Sequence, residues 1–288
     1  MFRRALRGGI RVRRLFPVLL GLGLPIPAQR VDYDRVTPPV LEQRIHRVVD
    51  KTSDREQVLH ELFEDAGCKE SALEEQRVKG AHTPNVICTL KGSGDAQVVV
   101  GAHYDKVPNG HGVIDNWSGA SLLPSFYQGL HTKSRRLTFV FVGFTDEEKG
   151  LVGSRYYVKQ LTQEDKSKIR AMVNIDSLGL SDTKVWLSRA DKGLVRAASE
   201  VAHTLNLPLA AVNVERVGDS DSRPFVDAKI PVIDFHSVTQ ETWRILHSPQ
   251  DAFPVLRLPE FENSYQLLVA YLAYLDVTLG NGGTPTSP

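Results

Sequence analysis

The stretch VVVGAHYDKVPNGHGVIDNWSGASLL, residues 98–123, begins as a run of valines typical of a buried strand and ends in the first turn of a helix. His103, Asp105 and Asp115 lie between the two, among glycines that indicate tight backbone turns. Imidazole and carboxylate side chains that directly follow a strand favour either a metal site or a solvated loop. The segments on both sides of this stretch distinguish between these two interpretations.

Strands and helices alternate along the rest of the chain. Apolar runs predict strands at NVICTLKG (85–92), RRLTFVFVGFTDEE (135–148), KIRAMVNIDSLG (168–179), TKVWLSRA (183–190), AAVNVERV (210–217) and PVIDFHSV (231–238). Helical spacing of apolar residues predicts helices within 40–66, 119–131, 154–161, 192–207 and 258–279. We expect an α/β fold, a single-domain three-layer αβα sandwich over residues 29–279 with a central mixed, mostly parallel sheet. The polar tail 280–288 is predicted to be disordered.

The charge balance of the chain argues against two classes of partner. Its 35 Lys and Arg residues are offset by 34 Asp and Glu residues, which leaves a formal net charge of +1. Proteins that bind nucleic acid or an anionic membrane usually carry a strong basic excess. We therefore expect no nucleic-acid partner, and a membrane only if the N-terminal segment is retained as an anchor.

The first 28 residues are predicted to be a secretion signal. Residues 1–14 carry six arginines and no acid, and the apolar run LFPVLLGLGLPIPA follows at 15–28. This pattern is typical of a signal peptide cleaved after Ala28, and the alternative is an amphipathic anchor on the inner membrane face. We expect a secreted or periplasmic protein, membrane-anchored if the segment stays. Cys68 and Cys88 fit an oxidising compartment as a disulfide, or they are two buried free thiols.

Ionisable side chains follow most of the predicted strands. The carboxyl ends of parallel strands share one edge of the sheet, where ligand sites form. The side chains that reach this edge are His103, Asp105, Asp115, Asp146, Glu147, Glu148, Asp176, His236, His247 and Asp251. Carboxylates this close raise one another's pKa, so divalent cations are their natural counterions. Imidazole and carboxylate without thiolate suit Zn²⁺, and three carboxylates with a bridging hydroxide balance two such ions.

Five separated motifs resemble the co-catalytic zinc aminopeptidases of peptidase family M28: HYD (103–105), GVIDNWSG (112–119), DEEKGLVGS (146–154), NIDSLG (174–179) and HSPQD (247–251). The resemblance runs from roughly residue 40 to 278. It implies two Zn²⁺ per chain, with His103 and Asp176 on one ion and Glu148 and His247 on the other. Asp115 would bridge both ions.

The resemblance also implies roles for two acids that bind no metal. Asp105 would fix the tautomer of His103, and Glu147 would be the general base. His236 is an alternative ligand to His247, although only His247 has the context His-Ser/Thr-x-x-Asp. We expect Asp251 to support the loop that carries His247, and Asp146 to be a solvated turn residue.

The implied function is that of an exported dizinc aminopeptidase, which hydrolyses the N-terminal residues of peptides. The alternatives on the same scaffold are a glutaminyl-cyclase-like enzyme, an amidase, a scaffold without activity, and a carboxypeptidase in which Arg216 or Arg223 holds the substrate carboxylate. The sequence departs from the family pattern at Ile114, at Ser-Asp-Ser 220–222 and at Leu246. These departures leave the oxyanion donor and the specificity pocket unassigned, and the sequence predicts no oligomeric state.

Overall fold

The computed structural model describes residues 9–16, 29–69, 71–214 and 218–280, and this part of the chain contains two sheets. The smaller sheet is an antiparallel pair of β1 (Gly9–Phe16) and β2 (Gln29–Val36). The larger sheet has eight strands: β3 (Leu73–Gln76), β4 (Asn85–Leu90), β5 (Gln97–His103), β6 (Thr138–Phe144), β7 (Ile169–Ile175), β8 (Lys184–Val185), β9 (Ala210–Ala211) and β10 (Val232–His236). Their order is β3-β4-β6-β5-β7-β10-β8-β9. The central strands β5, β6, β7 and β10 are parallel, and the β3–β4, β4–β6 and β8–β10 pairs are antiparallel.

Helices cover both faces of the large sheet. They are α1 (Pro38–Ile45), α2 (Thr52–Ala66), α3 (Ser118–Ala120), α4 (Leu123–Leu130), α5 (Val152–Gln160), α6 (Gln163–Lys168), α7 (Lys192–Leu205), α8 (Arg223–Asp227) and α9 (Leu258–Leu279). Helices α2, α4, α7 and α9 pack in the larger apolar core, and α5 and α8 pack in a smaller one. This three-layer arrangement with a mixed, mostly parallel sheet confirms the predicted fold class.

The central strand β5 shows why its sequence is a continuous apolar run. Successive side chains of a strand point to opposite faces of the sheet. Accordingly Val98 and Val100 lie in the larger core, whereas Val99 lies in the smaller one. Because helices bury both faces, every position must be apolar until the strand reaches the edge at His103.

Two predicted strands are much shorter than expected. The segments 183–190 and 210–217 contribute only two residues each to the sheet, as β8 and β9. The chain leaves β8 at Trp186, whose indole Nε1 donates to Ser188 Oγ and whose ring packs 3.6 Å below the guanidinium carbon of Arg189. Trp186 N–H still donates to Asp234 O of β10 at 3.1 Å, and its side chain lines the pocket described below.

A disulfide joins Cys68, directly after α2, to Cys88 in β4. Both residues are buried in the larger core, so the disulfide ties the helical layer to the sheet. Residues 9–16 of the predicted signal peptide form β1, which pairs with β2. Its other residues, 1–8 and 17–28, lie outside the described residues, as does the tail 281–288. Among the described helices, none combines the length and the hydropathy that a membrane crossing requires.

Candidate metal centre

The parallel strands deliver the predicted site residues to one edge of the sheet. His103 is the last residue of β5, Glu147 and Glu148 follow β6, and Asp176 follows β7. Asp115 lies in the turn before α3, and its peptide bond to Asn116 is cis. The pairing of β5 with β6 and β7 therefore brings three of these segments together, and the loop after β5 adds Asp115.

Asp115 lies between the two imidazoles. Its Oδ1 is 3.2 Å from His103 Nε2, and its Oδ2 is 3.1 Å from His247 Nε2. Burial alone would raise the pKa of Asp115, but the hydrogen bonds to His103 and His247 outweigh it and hold that pKa well below its usual range. A carboxylate that presents one oxygen to each imidazole has the geometry needed to bridge two cations.

Glu148 completes a compact group of candidate metal ligands. Its Oε2 is 3.1 Å from His247 Nε2. One ligand atom from each of His103, Asp115 and Glu148 lies within 4.8 Å of the other two. Asp176 Oδ1 is 3.7 Å from His103 Nε2, which places Asp176 on the His103 side.

The donor set of this group fits divalent cations. The buried Oε1 of Glu148 accepts no hydrogen bond from any described residue, an arrangement that is costly unless a cation satisfies the oxygen. Hydrogen bonds to Asp115 and Glu148 raise the pKa of His247 to about 10. Burial lowers the pKa of His103, but Glu147 and the neighbouring carboxylates outweigh it and raise that pKa well above its usual value. The negative charge that raises the pKa of both imidazoles would also attract a divalent cation.

Asp105 organises the turn that carries the two glutamates. Its Oδ1 and Oδ2 accept the backbone N–H groups of Glu147 and Glu148 at 3.0 and 3.2 Å. Its Oδ1 also faces His103 Nδ1 at 3.5 Å, which is longer than an ordinary hydrogen bond. The sequence did not predict the bonds from Asp105 to these two N–H groups. Through them Asp105 sets the direction of the backbone at Glu147 and Glu148.

Glu147 lies beside the candidate ligands without joining the compact group. Its Oε2 is 4.0 Å from His103 Nε2, and its side chain is 12% exposed. Burial raises the pKa of Glu147 well above its usual value; His103 opposes this, and Asp221, Asp176 and Glu148 reinforce it. A carboxylate whose pKa is raised in this way is suited to accept and release a proton.

Two glycines allow the loop after β5 to fold back on itself. Gly110 has φ +71°, and a Cβ there would lie 2.2 Å from Ser248 O on the loop that carries His247. Gly112 has φ +53°, and its Cβ would lie 2.8 Å from Asp115 O. Any other residue would clash with backbone atoms at both positions, so the glycines allow Asp115 and His247 to approach each other.

Asp251 contacts a second loop besides the one that carries it. Its carboxylate accepts the N–H groups of Ile114 at 2.7 Å and Asp115 at 3.1 Å, and its carbonyl oxygen accepts His111 N–H at 2.8 Å. Asp251 therefore joins its own loop, which carries His247, to the loop of Asp115, a second partner that the sequence did not indicate. Sequence gives no signal for such contacts, because the partners are 136 and 137 residues apart.

The structure separates His247 from its alternative, His236. Both ring nitrogens of His236 are already engaged, since Nε2 donates to Val212 O at 3.0 Å and Nδ1 accepts from Val238 N–H at 3.1 Å. Burial lowers the pKa of His236 to about 4, so the ring is neutral near pH 7. His247, whose side chain is 52% exposed, instead directs Nε2 at Asp115 and Glu148. The geometry therefore favours His247 as the ligand.

The prediction that Asp146 is solvated is wrong, although the residue does lie in a turn. Its side chain is buried rather than solvated, and its Oδ1 accepts a hydrogen bond from Lys149 Nζ at 2.9 Å. Asp146 has φ +51°, and its carbonyl oxygen accepts Val152 N–H at the start of α5. The residue thus shapes the turn after β6, and its position next to two site glutamates does not make it part of the metal group.

A pocket of about 270 Å³ opens beside the candidate ligands. The site side chains form one wall, and the lining includes the apolar residues Leu151, Trp186, Val214, Phe235, Val238 and Leu246. No lysine or arginine lines it among the described residues. The lining comes from loops that are far apart in the chain, so the sequence does not indicate which residues form this pocket.

The family follows from comparison with known proteins. The model of peptidase family M28 matches residues 85–272, which is more than half of the chain and includes every candidate ligand. The chain belongs to peptidase family M28. It is 28% identical over 181 residues to aminopeptidase YwaD of Bacillus subtilis, an alignment that covers 60% of this chain and 40% of that protein. The chain spans less than half the length of the curated relatives it matches.

Solved structures of aminopeptidases share the fold of this M28 chain. BSAP, a zinc aminopeptidase from Bacillus subtilis, superposes with a TM-score of 0.60 at 26% identity, over 66% of this chain and 49% of that one. Legionella pneumophila LapA gives a TM-score of 0.71 over 84% of this chain and 73% of its own, at 20% identity. The second likeness concerns the fold alone.

Proposed function

We propose that this M28 chain is an exported metallo-aminopeptidase, which uses two Zn²⁺ per chain to remove the N-terminal residues of peptides. The position of Asp115 carries the proposal, because each of its oxygens faces a different imidazole. The unpaired buried oxygen of Glu148 and the likeness to BSAP, a zinc aminopeptidase, support it.

In this proposal each ion has its own ligands and shares one. His103 and Asp176 would hold one Zn²⁺, Glu148 and His247 would hold the other, and Asp115 would bind both. Bound zinc would supply a water of lowered pKa and polarise the substrate carbonyl.

Glu147 would be the general base of the reaction. It would take the proton of the attacking water and pass it to the nitrogen of the leaving amine. Its raised pKa suits this exchange, and the two N–H groups bound by Asp105 fix the direction of its backbone. Asp105 would therefore position the general base, and its distance of 3.5 Å from His103 Nδ1 would have to shorten for it to orient the histidine ligand.

The charge of the pocket favours a free amino terminus over a free carboxylate. No lysine or arginine lines the pocket among the described residues. Arg223 is engaged with Asp227 at 3.0 Å and with Asp219 at 3.9 Å, and Arg216 lies outside the described residues. A carboxypeptidase would need a cation to hold the terminal carboxylate of its substrate, so we favour the aminopeptidase.

The proposal of export rests on the N-terminal pattern and on the disulfide. Disulfides persist in oxidising compartments, and a disulfide joins Cys68 to Cys88. We propose that residues 1–28 direct export and that residues 29–279 are the catalytic domain, followed by a tail at 280–288.

The test combines metal analysis with a substrate panel. We expect about two Zn²⁺ per chain by elemental mass spectrometry, and chelator-sensitive cleavage of aminoacyl anilides that have a free amino group. N-acetylated anilides should not be cleaved, and glutaminyl peptides should be shortened rather than cyclised. One Zn²⁺ or none, or cleavage that ignores acetylation, would refute the proposal in favour of the cyclase, amidase or scaffold.

A further inference from the structure

Arg55 is a fully buried arginine on α2, and it contacts the backbone of the loop between His103 and Asp115. Its Nη1 donates to Tyr104 O at 3.1 Å, and its Nη2 donates to Gly112 O at 3.2 Å and to His111 O. Its Nε donates to Val49 O at 2.7 Å. Within the described part of the chain, its hydrogen bonds go to carbonyl oxygens alone.

Asp251 holds the same loop through its N–H groups. Its carboxylate accepts Ile114 N–H and Asp115 N–H, and its carbonyl oxygen accepts His111 N–H. A buried cation therefore binds carbonyl oxygens of the loop, and a buried anion binds N–H groups at its end. The last of these N–H groups belongs to Asp115 itself.

We propose that Arg55 and Asp251 form a clamp that positions Asp115 to bind metal. The metal-binding part of this inference rests on the proposed function. Arg55 lies outside residues 85–272, so the family match assigns it nothing. Both members of the clamp are positioning residues, because they act on Asp115 through backbone contacts.

The chemistry of arginine explains why this position carries one. The guanidinium presents five N–H donors in a rigid plane, so it can bind three loop carbonyls and Val49 at once. A lysine has three donors on a single nitrogen and cannot span the same oxygens. The Trp117 ring, whose centroid is 5.7 Å from the guanidinium carbon, helps to confine the plane.

Charge and positioning predict opposite effects for the loss of Arg55. The cation lies near Asp251, Asp105 and Asp115, whose charges act on its pKa. By charge alone, removing it would strengthen binding of a divalent cation at the centre. If Arg55 positions Asp115, removing it would weaken that binding. The direction of the change therefore distinguishes the two roles.

Arg44 on α1 provides a matched control for the substitution. It is also a buried arginine whose pKa burial lowers to about 10, as it does for Arg55. Its guanidinium donates to the side chains of Ser125 at 2.7 Å and Gln128 at 2.5 Å and does not contact the loop. Arg44→Met should lower the melting temperature as Arg55→Met does, but it should leave metal affinity within twofold of the parent.

The experiment measures Co²⁺ binding to the full chain by visible absorption. We expect Arg55→Met to weaken binding by about 10- to 100-fold, as is typical when a group that orients a metal ligand is lost. Arg55→Lys keeps the charge but lacks the planar set of donors. Its Co²⁺ affinity should therefore stay closer to that of Arg55→Met than to that of the parent. Unchanged or tighter Co²⁺ binding in a folded Arg55→Met protein, or full recovery in Arg55→Lys, would overturn the clamp.

Hydrogen exchange of the metal-free protein tests the clamp without any metal. The amides of residues 113–117 should exchange faster in Arg55→Met than in Arg44→Met, and equal rates would refute the clamp. If the parent protein binds no Co²⁺, the proposed function fails while this measurement still decides the clamp. If Arg55→Met does not fold, Asp251→Asn replaces it and should speed exchange at Ile114 or at Asp115, because the amide offers one acceptor oxygen for two N–H groups. Unchanged exchange at both amides would refute the clamp.

Discussion

Replacement of Glu147 by glutamine separates proton transfer from metal binding. The two side chains are nearly isosteric, and the backbone N–H of residue 147 would keep its bond to Asp105 Oδ1 at 3.0 Å. The substitution removes the proton acceptor and, with it, the negative charge that raises the pKa of His103. General-base catalysis contributes about 10²- to 10⁴-fold, so the activation free energy should rise by about 3–5.5 kcal/mol.

The same substitution should stabilise the metal-free protein. Burial chiefly raises the pKa of Glu147 above its value in the unfolded chain. An acid whose pKa is raised by folding destabilises the folded state at any pH above its unfolded pKa of about 4.3. A neutral glutamine removes this cost, so the urea midpoint at pH 7 should rise while turnover falls.

The assay measures kcat, zinc content and urea unfolding for Glu147→Gln beside a surface control, Glu164→Gln. Glu164 lies on α6 with a 78% exposed side chain that pairs with Lys168 at 2.6 Å. Its loss should leave kcat and zinc content unchanged and should lower the free energy of unfolding by at most about 0.5 kcal/mol. We expect Glu147→Gln to keep two Zn²⁺ and to lose at least about 99% of its turnover. Retained turnover would show that Glu147 is not the base, and lost zinc would show that it is a ligand.

Three further predictions concern the ligands, the disulfide and the metal. His103→Ala should lower the zinc content below two per chain. His236→Ala should not, since both ring nitrogens of His236 bind backbone groups. Equal zinc loss in the two variants would contradict the assignment. Replacing both Cys68 and Cys88 by alanine opens the disulfide between residues 20 positions apart. The free energy of unfolding should fall by about 3 kcal/mol and the melting temperature by about 6–12 °C, without loss of zinc. Calorimetry checks this, and an unchanged melting temperature would oppose it. Zinc at about 100 times its dissociation constant should add about 2.7 kcal/mol to the free energy of unfolding, and chelator should reverse the gain; identical urea curves would contradict folded-state binding.

The candidate ligands at the strand ends were the most predictable part of the site. His103 and Asp176 each follow an apolar run in the sequence, and β5 and β7 are parallel neighbours. Parallel pairing alone brings the ends of such strands together, so the metal site at this edge could be predicted before any contact was known.

The contacts that hold the loops were not predictable. Arg55 and Asp251 contact the Asp115 loop from 56 and 136 residues away, and their partners are backbone atoms, which carry no sequence signal. Asp146 shows the converse error, because its place among acids indicated a solvated turn while packing after β6 buried it. His236 and His247 look alike as residues, and only their hydrogen bonds distinguish them.

The sequence by itself determined the layer order and the candidate ligand types, because apolar periodicity and strand-end residues are local properties of the chain. Only the tertiary structure decided which histidine faces Asp115, what lines the pocket, and which buried charges hold the loop. Those features depend on approaches of a few ångströms between segments that are far apart in sequence.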